Sequence, residues 1–175
     1  SKVAAVRVCQ PAGRGLLPRA DWPADLIEAT DGGNYLLHGG HLYDGRELAP
    51  VDELEVERLL QTLKAEKPAA VVVSCAFSPS QPELEVSLAE RLSAALPNSR
   101  VCASHSMGGL GLIERENAAI LNASLLEFAD RVALALLTSS ERLGLSCPVY
   151  VSQNDGTLID LERVREFPAL TFASG

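Results

Sequence analysis

The 175-residue sequence predicts a three-layer α/β fold: a mostly parallel sheet flanked by helices. Three observations predict it. Apolar runs of strand length alternate with stretches whose apolar residues recur at helical spacing. The run at residues 69–77, AAVVVSCAF, is continuous rather than alternating, as expected of a strand covered on both faces. Strand, helix, strand, helix is also the order that right-handed crossovers wind into a parallel sheet. At 47% hydrophobic content the chain can fill one core, so a single α/β domain over residues 1–175 is expected.

Residues 3–9 read as a buried strand, stopped by Gln10, Pro11 and the glycine-rich stretch that follows. The segment around Trp22 reads as irregular. Residues 33–48 read as a small hairpin excursion at an edge, with Gly39 and Gly40 between two short runs and an Asp44-Gly45 turn signal. From Asp52 the period changes: Val56, Leu59, Leu60 and Leu63 share a helical face, and Asp52 or Pro50 marks the start. A second amphipathic helix carries Leu88, Ala89, Leu92, Ala95 and Leu96 and stops at Pro97. Residues 100–104 form another core strand. A long helix is expected from about 112 to 143, with Leu121, Leu125, Phe128, Val132 and Leu136 on one stripe and Gly144 closing it. Residues 147–152 read as a fourth strand, 158–166 as a short helix and 169–173 as a last strand.

The formal charge of -8, with scattered Lys and Arg, excludes a phosphate-tracking nucleic-acid surface. Cys9, Cys75, Cys102 and Cys147 are spaced too widely for a zinc knuckle and read as reduced thiols, so no metal site is expected and a cytoplasmic setting fits. No apolar run is long enough to span a membrane, so no membrane partner is expected.

Ligands of open α/β sheets sit beyond the carboxyl ends of the strands. Those ends carry Gln10, Ser74 and Ser78, Ser104 with His105 and Ser106, and Gln153 with Asn154 and Asp155. Turn residues are polar for backbone reasons too, so both readings stand. The segment SHSMGGLG at 104–111 leads into the long helix like an anion cradle, but it matches neither GxGxxG nor GxxxxGK[ST]. His105 is the histidine in a plausible site loop, whereas His38 and His41 fall in the hairpin. The helix then opens with GLIERENAAILNASL at 111–125, placing Glu114, Arg115, Glu116, Asn117 and Asn122 in an apolar setting. Glu114 and Asn117 share a face, as do Arg115 and Asn122. Either this helix start is solvated, or its polar groups meet something.

That stretch, preceded by SRVCASHSM and followed by CPVYVSQNDG, resembles the hydantoinase/oxoprolinase family, which includes N-methylhydantoinase, 5-oxoprolinase and the acetone carboxylase beta subunit. VVVSCAFSPSQPELE is similar to the family's strand and FSxxNPEHE helix start, and GGHLYDGRELAPVDE to the segment entering the preceding helix. FPALTFASG looks like its SGP junction. The resemblance covers most of residues 33–175 in order; QNDG stands where the family has QSNGG.

The resemblance implies an internal domain of a longer actin-like ATPase-type enzyme that opens a cyclic amide, or carboxylates a ketone, with ATP and magnesium. The family's DxGGTxTD phosphate loop has no counterpart here, so no cofactor is expected in this chain itself. The implied partners are the remaining domains of the parent enzyme and a small-molecule substrate; a homo-oligomer is compatible. Ser104, His105, Glu114, Arg115, Asn117, Asn122, Gln153 and Asn154 are the candidate substrate or interface residues. The alternative is a self-contained α/β module binding a small molecule near Ser104, His105 and Asn154.

Overall fold

A computed structural model describes residues 1–171. By internal contacts the chain divides into two compact units, Ser1–Ser124 and Leu125–Gly175. Among the described residues no helix is long and apolar enough to cross a membrane.

The first unit is built on a four-stranded parallel sheet. Its strands are β1 (Val3–Gln10), β2 (Asp31–His38), β5 (Ala70–Cys75) and β6 (Arg100–Ala103), in the order β2-β1-β5-β6. Every residue of the central strands β1 and β5 is buried, which is why both read as apolar runs, broken only by Arg7, Gln10 and Ser74. Val6 pairs with Tyr35 on one side and Val73 on the other, and Val72 pairs with Cys102.

On one sheet face Ala4, Val6, Val8, Val71 and Val73 pack with Val56, Leu59 and Leu63 of α2 (Glu53–Glu66) and Leu88 and Leu92 of α3 (Glu83–Ala95). Full burial of each Leu side chain stabilises the unit by about 1.5–3 kcal/mol. Asp52 starts α2 as expected, its carboxylate accepting the Leu54 and Glu55 N–H groups at 2.9 and 3.3 Å. Lys67, at φ 51°, ends it. On the opposite face Arg7 and Ser74 sit side by side in register and reach Glu116 of α4 (Leu112–Arg142), so helices cover both faces.

The hairpin expected at 33–48 is smaller than that segment. Residues 31–38 are a full strand of the main sheet. The hairpin is β3 (Gly40–His41) against β4 (Glu47–Ala49), closed by Leu42 N–H on Arg46 O at 2.8 Å. Gly39 and Gly40, at φ 131° and 117°, end β2 and turn the chain back. A β-carbon on Gly40 would stand 3.3 Å from Val8 O and 3.7 Å from Cys75 Sγ, so the hairpin lies against the ends of β1 and β5. The segment expected to be irregular holds α1 (Ala24–Thr30), the crossover between β1 and β2. It buries only Thr30, so it carries no apolar stripe to read.

In the second unit the expected fourth sheet strand is instead one arm of a hairpin. Residues 150–152 (β7, Tyr150–Ser152) pair antiparallel with β8 (Leu158–Asp160). The Asp155-Gly156 turn decides this: Gly156 has φ 83°, Asp155 accepts Thr157 N–H at 2.9 Å, and Gln153 N–H donates to Thr157 O at 2.7 Å. The expected helix over 158–166 is therefore strand for three residues and then α5 (Leu161–Glu166), capped by Asp160 on Arg163 N–H at 2.8 Å. Pro168–Thr171 form a 3-10 turn where a strand was expected; Phe172 and Ala173 of that strand lie outside the described residues.

Gly144, at φ 68°, closes α4 as expected, with Leu145 N–H on Ser140 O and Gly144 N–H on Glu141 O. The predicted stripe on α4 is only partly inward, for Phe128 is 59% exposed and Leu136 38%. Together with Leu125 and Val132 they line an apolar depression of about 350 Å³, whose other side is Val151, Val164 and Pro168.

Candidate functional site

The carboxyl edge of the first unit's sheet is where its charged and polar groups converge. Arg7 stands in the middle of an apolar strand and is 1% exposed. A guanidinium there must be paired, since an unpaired buried charge is prohibitively costly. Its Nε donates to Glu116 Oε1 at 2.9 Å and its terminal nitrogens reach Glu116 Oε2 and the Gly13 and Leu16 carbonyls. Ser74 Oγ donates to the same Glu116 carboxylate at 2.6 Å. Burial opposes the Arg7 charge, but the bonds and charge of Glu116 outweigh it and hold the guanidinium above its ordinary value.

A second network lies at the ends of β5 and β6. Glu85, in the first turn of α3, is fully buried. Its Oε2 accepts Cys75 N–H at 3.0 Å and Ser104 Oγ at 3.1 Å; its Oε1 accepts His105 N–H at 2.6 Å and faces His105 Nδ1 at 3.0 Å. Arg115, 1% exposed, donates from Nε to Ser104 Oγ at 3.0 Å and from Nη2 to Cys75 O at 2.6 Å. Its remaining terminal nitrogen takes the Gly109, Leu110 and Gly111 carbonyls at 2.9, 3.1 and 3.3 Å. Burial lowers the Arg115 pKa, with the charges of Glu85, Cys75 and Glu116 opposing. Burial, with the Glu85 charge, pushes the Cys75 thiol up to about 12, so it is an inert core group.

The expected site residues divide clearly. Ser104, His105 and Arg115 come together. Arg115 does so as a clamp that ties the glycine loop to two strand ends, with the terminal nitrogens bonded to main-chain carbonyls. Glu114 is exposed and lines a shallow hollow of about 430 Å³ with Met107, Gly108, Gly109 and Ala118. Asn117 is half-buried, and its Oδ1 has no partner among the described residues. Asn122 is buried on α4. Gln153 and Asn154 belong to the second unit, where Gln153 Nε2 donates to Thr157 Oγ1 at 2.8 Å and Asn154 Nδ2 to Ala169 O at 3.1 Å.

The loop does not fit a nucleotide phosphate. Three successive carbonyls, of Gly109, Leu110 and Gly111, are turned toward Arg115, and the exposed Glu114 carboxylate sits at the helix mouth where a phosphate would approach. Among the described residues no group of three or more His, Cys, Asp or Glu is placed to hold a metal ion.

Arg7 and Glu85 escaped the sequence reading of the site, and Glu116, noted in the helix start, was not among the candidate site residues. The signal for Arg7 was present, a charge inside VAAVRVC, which requires a buried partner. Glu116 was readable only as a carboxylate favouring the positive helix end. Nothing local distinguishes Glu85 from Glu83 in PELE; its direction is set by the strand ends that it faces.

Residues 28–96 match the family model described as the hydantoinase/oxoprolinase N-terminal region. Over that stretch the chain is similar to the hydantoinase/oxoprolinase family. It is 27% identical over 139 residues to caprolactamase subunit alpha of Pseudomonas jessenii, an alignment covering 78% of this chain and 20% of that protein. Its fold is that of the ATP-dependent caprolactamase structure from Pseudomonas jessenii, with a TM-score of 0.69 and 21% identity over 89% of this chain and 24% of that one. It is also that of a nucleotide-free acetone carboxylase, with a TM-score of 0.65 and 17% identity over 80% of this chain and 20% of that one. The chain thus spans a fifth to a quarter of the length of these proteins.

Proposed function

We propose that this chain is a domain of an ATP-dependent enzyme that hydrolyses a small cyclic amide, and that its active site is completed by other domains of the same enzyme. The observation that carries the reading is the hydantoinase/oxoprolinase match at residues 28–96, inside an ordered series of motifs that runs on through ERENAAILNA. The similar proteins, an ATP-dependent caprolactamase and an ATP-dependent acetone carboxylase, favour a cyclic amide or a ketone as the substrate class. The carbonyl-lined glycine loop supports a nucleotide and magnesium site outside this chain.

On this reading the Arg115 and Glu116 clamps hold the carboxyl edge rigid, so that Ser104, His105 and the hollow beside Glu114 present a fixed surface to the rest of the enzyme. A soluble enzyme of this kind works in the cytoplasm. Isothermal titration with magnesium ATP tests the division of labour. The 175-residue chain should show no binding where the full-length enzyme binds. Tight binding by the chain alone would favour instead a self-contained ligand-binding module.

A further inference from the structure

The chain has three histidines, and the fold brings all of them to one edge. His38 ends β2, His41 lies in the hairpin against β5, and His105 follows β6. His105 is set apart by what stands behind it. Glu85 is completely buried, and both of its oxygens are occupied as acceptors by groups that can only donate or do donate: the Cys75 and His105 N–H groups, and the Ser104 hydroxyl. Ser104 Oγ in turn accepts from Arg115 Nε, so its own hydrogen is directed at Glu85. The imidazole nitrogen that faces this carboxylate at 3.0 Å must therefore carry hydrogen. In the neutral ring, such an Nδ1–H leaves Nε2 as a bare acceptor. Nε2 has no hydrogen-bond partner among the described residues, and the side chain is 28% exposed.

We propose that His105 is a proton-accepting residue at the carboxyl edge, with Glu85 as its positioning residue, acting on the O–H or N–H of a small neutral ligand such as a water or a cyclic amide. The ligand class rests on the proposed amide-hydrolysing function. In the step, the donor's X–H bond breaks, X keeps the electron pair, and the proton forms a new N–H bond at Nε2. The ring becomes an imidazolium whose charge Glu85 balances from the far side. The charged groups around the ring are few. Glu85 of α3 bonds to it directly, Arg115 of α4 approaches only through Ser104, and Cys75 of β5 contributes its backbone N–H to the same carboxylate.

Two measurements test this. The first is ring-nitrogen NMR of the 175-residue chain at neutral pH. His105 should show a protonated Nδ1 and a bare Nε2, and the opposite tautomer overturns the proposal. The second is turnover of cyclic amides with ATP by the full-length enzyme. His105→Asn keeps an N–H where Nδ1–H was, and so keeps the bond to Glu85, but has no atom in the place of Nε2. It should melt like the wild type and lose kcat by about 100-fold or more, with the acid limb of the pH profile abolished. Glu85→Gln should lower kcat less and shift that limb. A His105→Asn enzyme with wild-type kcat refutes a proton-accepting role. If the wild-type enzyme opens no cyclic amide, the proposed function fails, and the tautomer alone then decides the inference.

Discussion

Glu116→Gln removes the charge that answers Arg7 and leaves the guanidinium buried. In the native unit Arg7 is 1% exposed and Glu116 fully buried, and their bidentate contact is supplemented by Ser74 Oγ at 2.6 Å. The glutamine can accept one of these bonds, but its amide nitrogen then faces donors. Breaking one side of such a pair costs about 3–5 kcal/mol, against a total stability of about 5–15 kcal/mol for a domain. With a urea m-value of about 2 kcal/mol/M, the midpoint should fall by about 2 M. Replacing both partners together, Arg7→Met with Glu116→Leu, removes the unpaired charge and should recover most of that loss. Urea unfolding followed by circular dichroism measures both variants. A Glu116→Gln midpoint within about 0.5 M of wild type, or a double variant no more stable than Glu116→Gln, would refute the buried-pair reasoning.

Leu92→Ala, at a fully buried position in the α3 interface, should cost about 2–5 kcal/mol in the same assay. Asp52→Ala should cost about 1 kcal/mol through loss of the two cap bonds at the start of α2. Thiol labelling of the native chain at pH 8 should modify exposed Cys147 well before Cys9 or Cys75, whose thiols burial holds protonated. Because the Cys75 value is raised from near 9 to about 12, the folded state binds that proton more tightly than the unfolded chain does. The stability that it contributes is complete below pH 9 and declines above it, by about 1.4 kcal/mol per pH unit. Tyr35, also raised to about 12 by burial and its bond to Glu66, adds to the decline above pH 10. Cys75→Ala should flatten the fall in stability between pH 9 and 11.

The central strands were legible in the sequence because burial on both faces leaves a run such as VVVSC with no alternative pattern. The helices α2 and α3 were legible through their single apolar stripes and, for α2, through Asp52. Asp31–His38 was not legible as a sheet strand. It is an edge strand, half-covered along most of its length, and its run into Gly39 and Gly40 reads as a turn. The β7–β8 hairpin hid in the same way, since CPVYVS looks like a core strand until the Asp155-Gly156 turn is given precedence. At the candidate site, Ser104 and His105 were found from their place after a strand and before a helix, and Arg115 as a polar group in the apolar start of that helix. The carboxylate that Ser104 and His105 share, Glu85, comes from the other end of a crossover, and a pairing over nineteen residues leaves no local trace.

The most direct test of the functional account is product formation by the full-length enzyme. It should be incubated with magnesium ATP and a panel of cyclic amides, and the ring-opened acid quantified by mass spectrometry beside released phosphate. The account predicts ring opening of at least one amide that depends strictly on ATP, with phosphate released in step. Ring opening without ATP, or no amide opened at all while ATP is still hydrolysed, would contradict it.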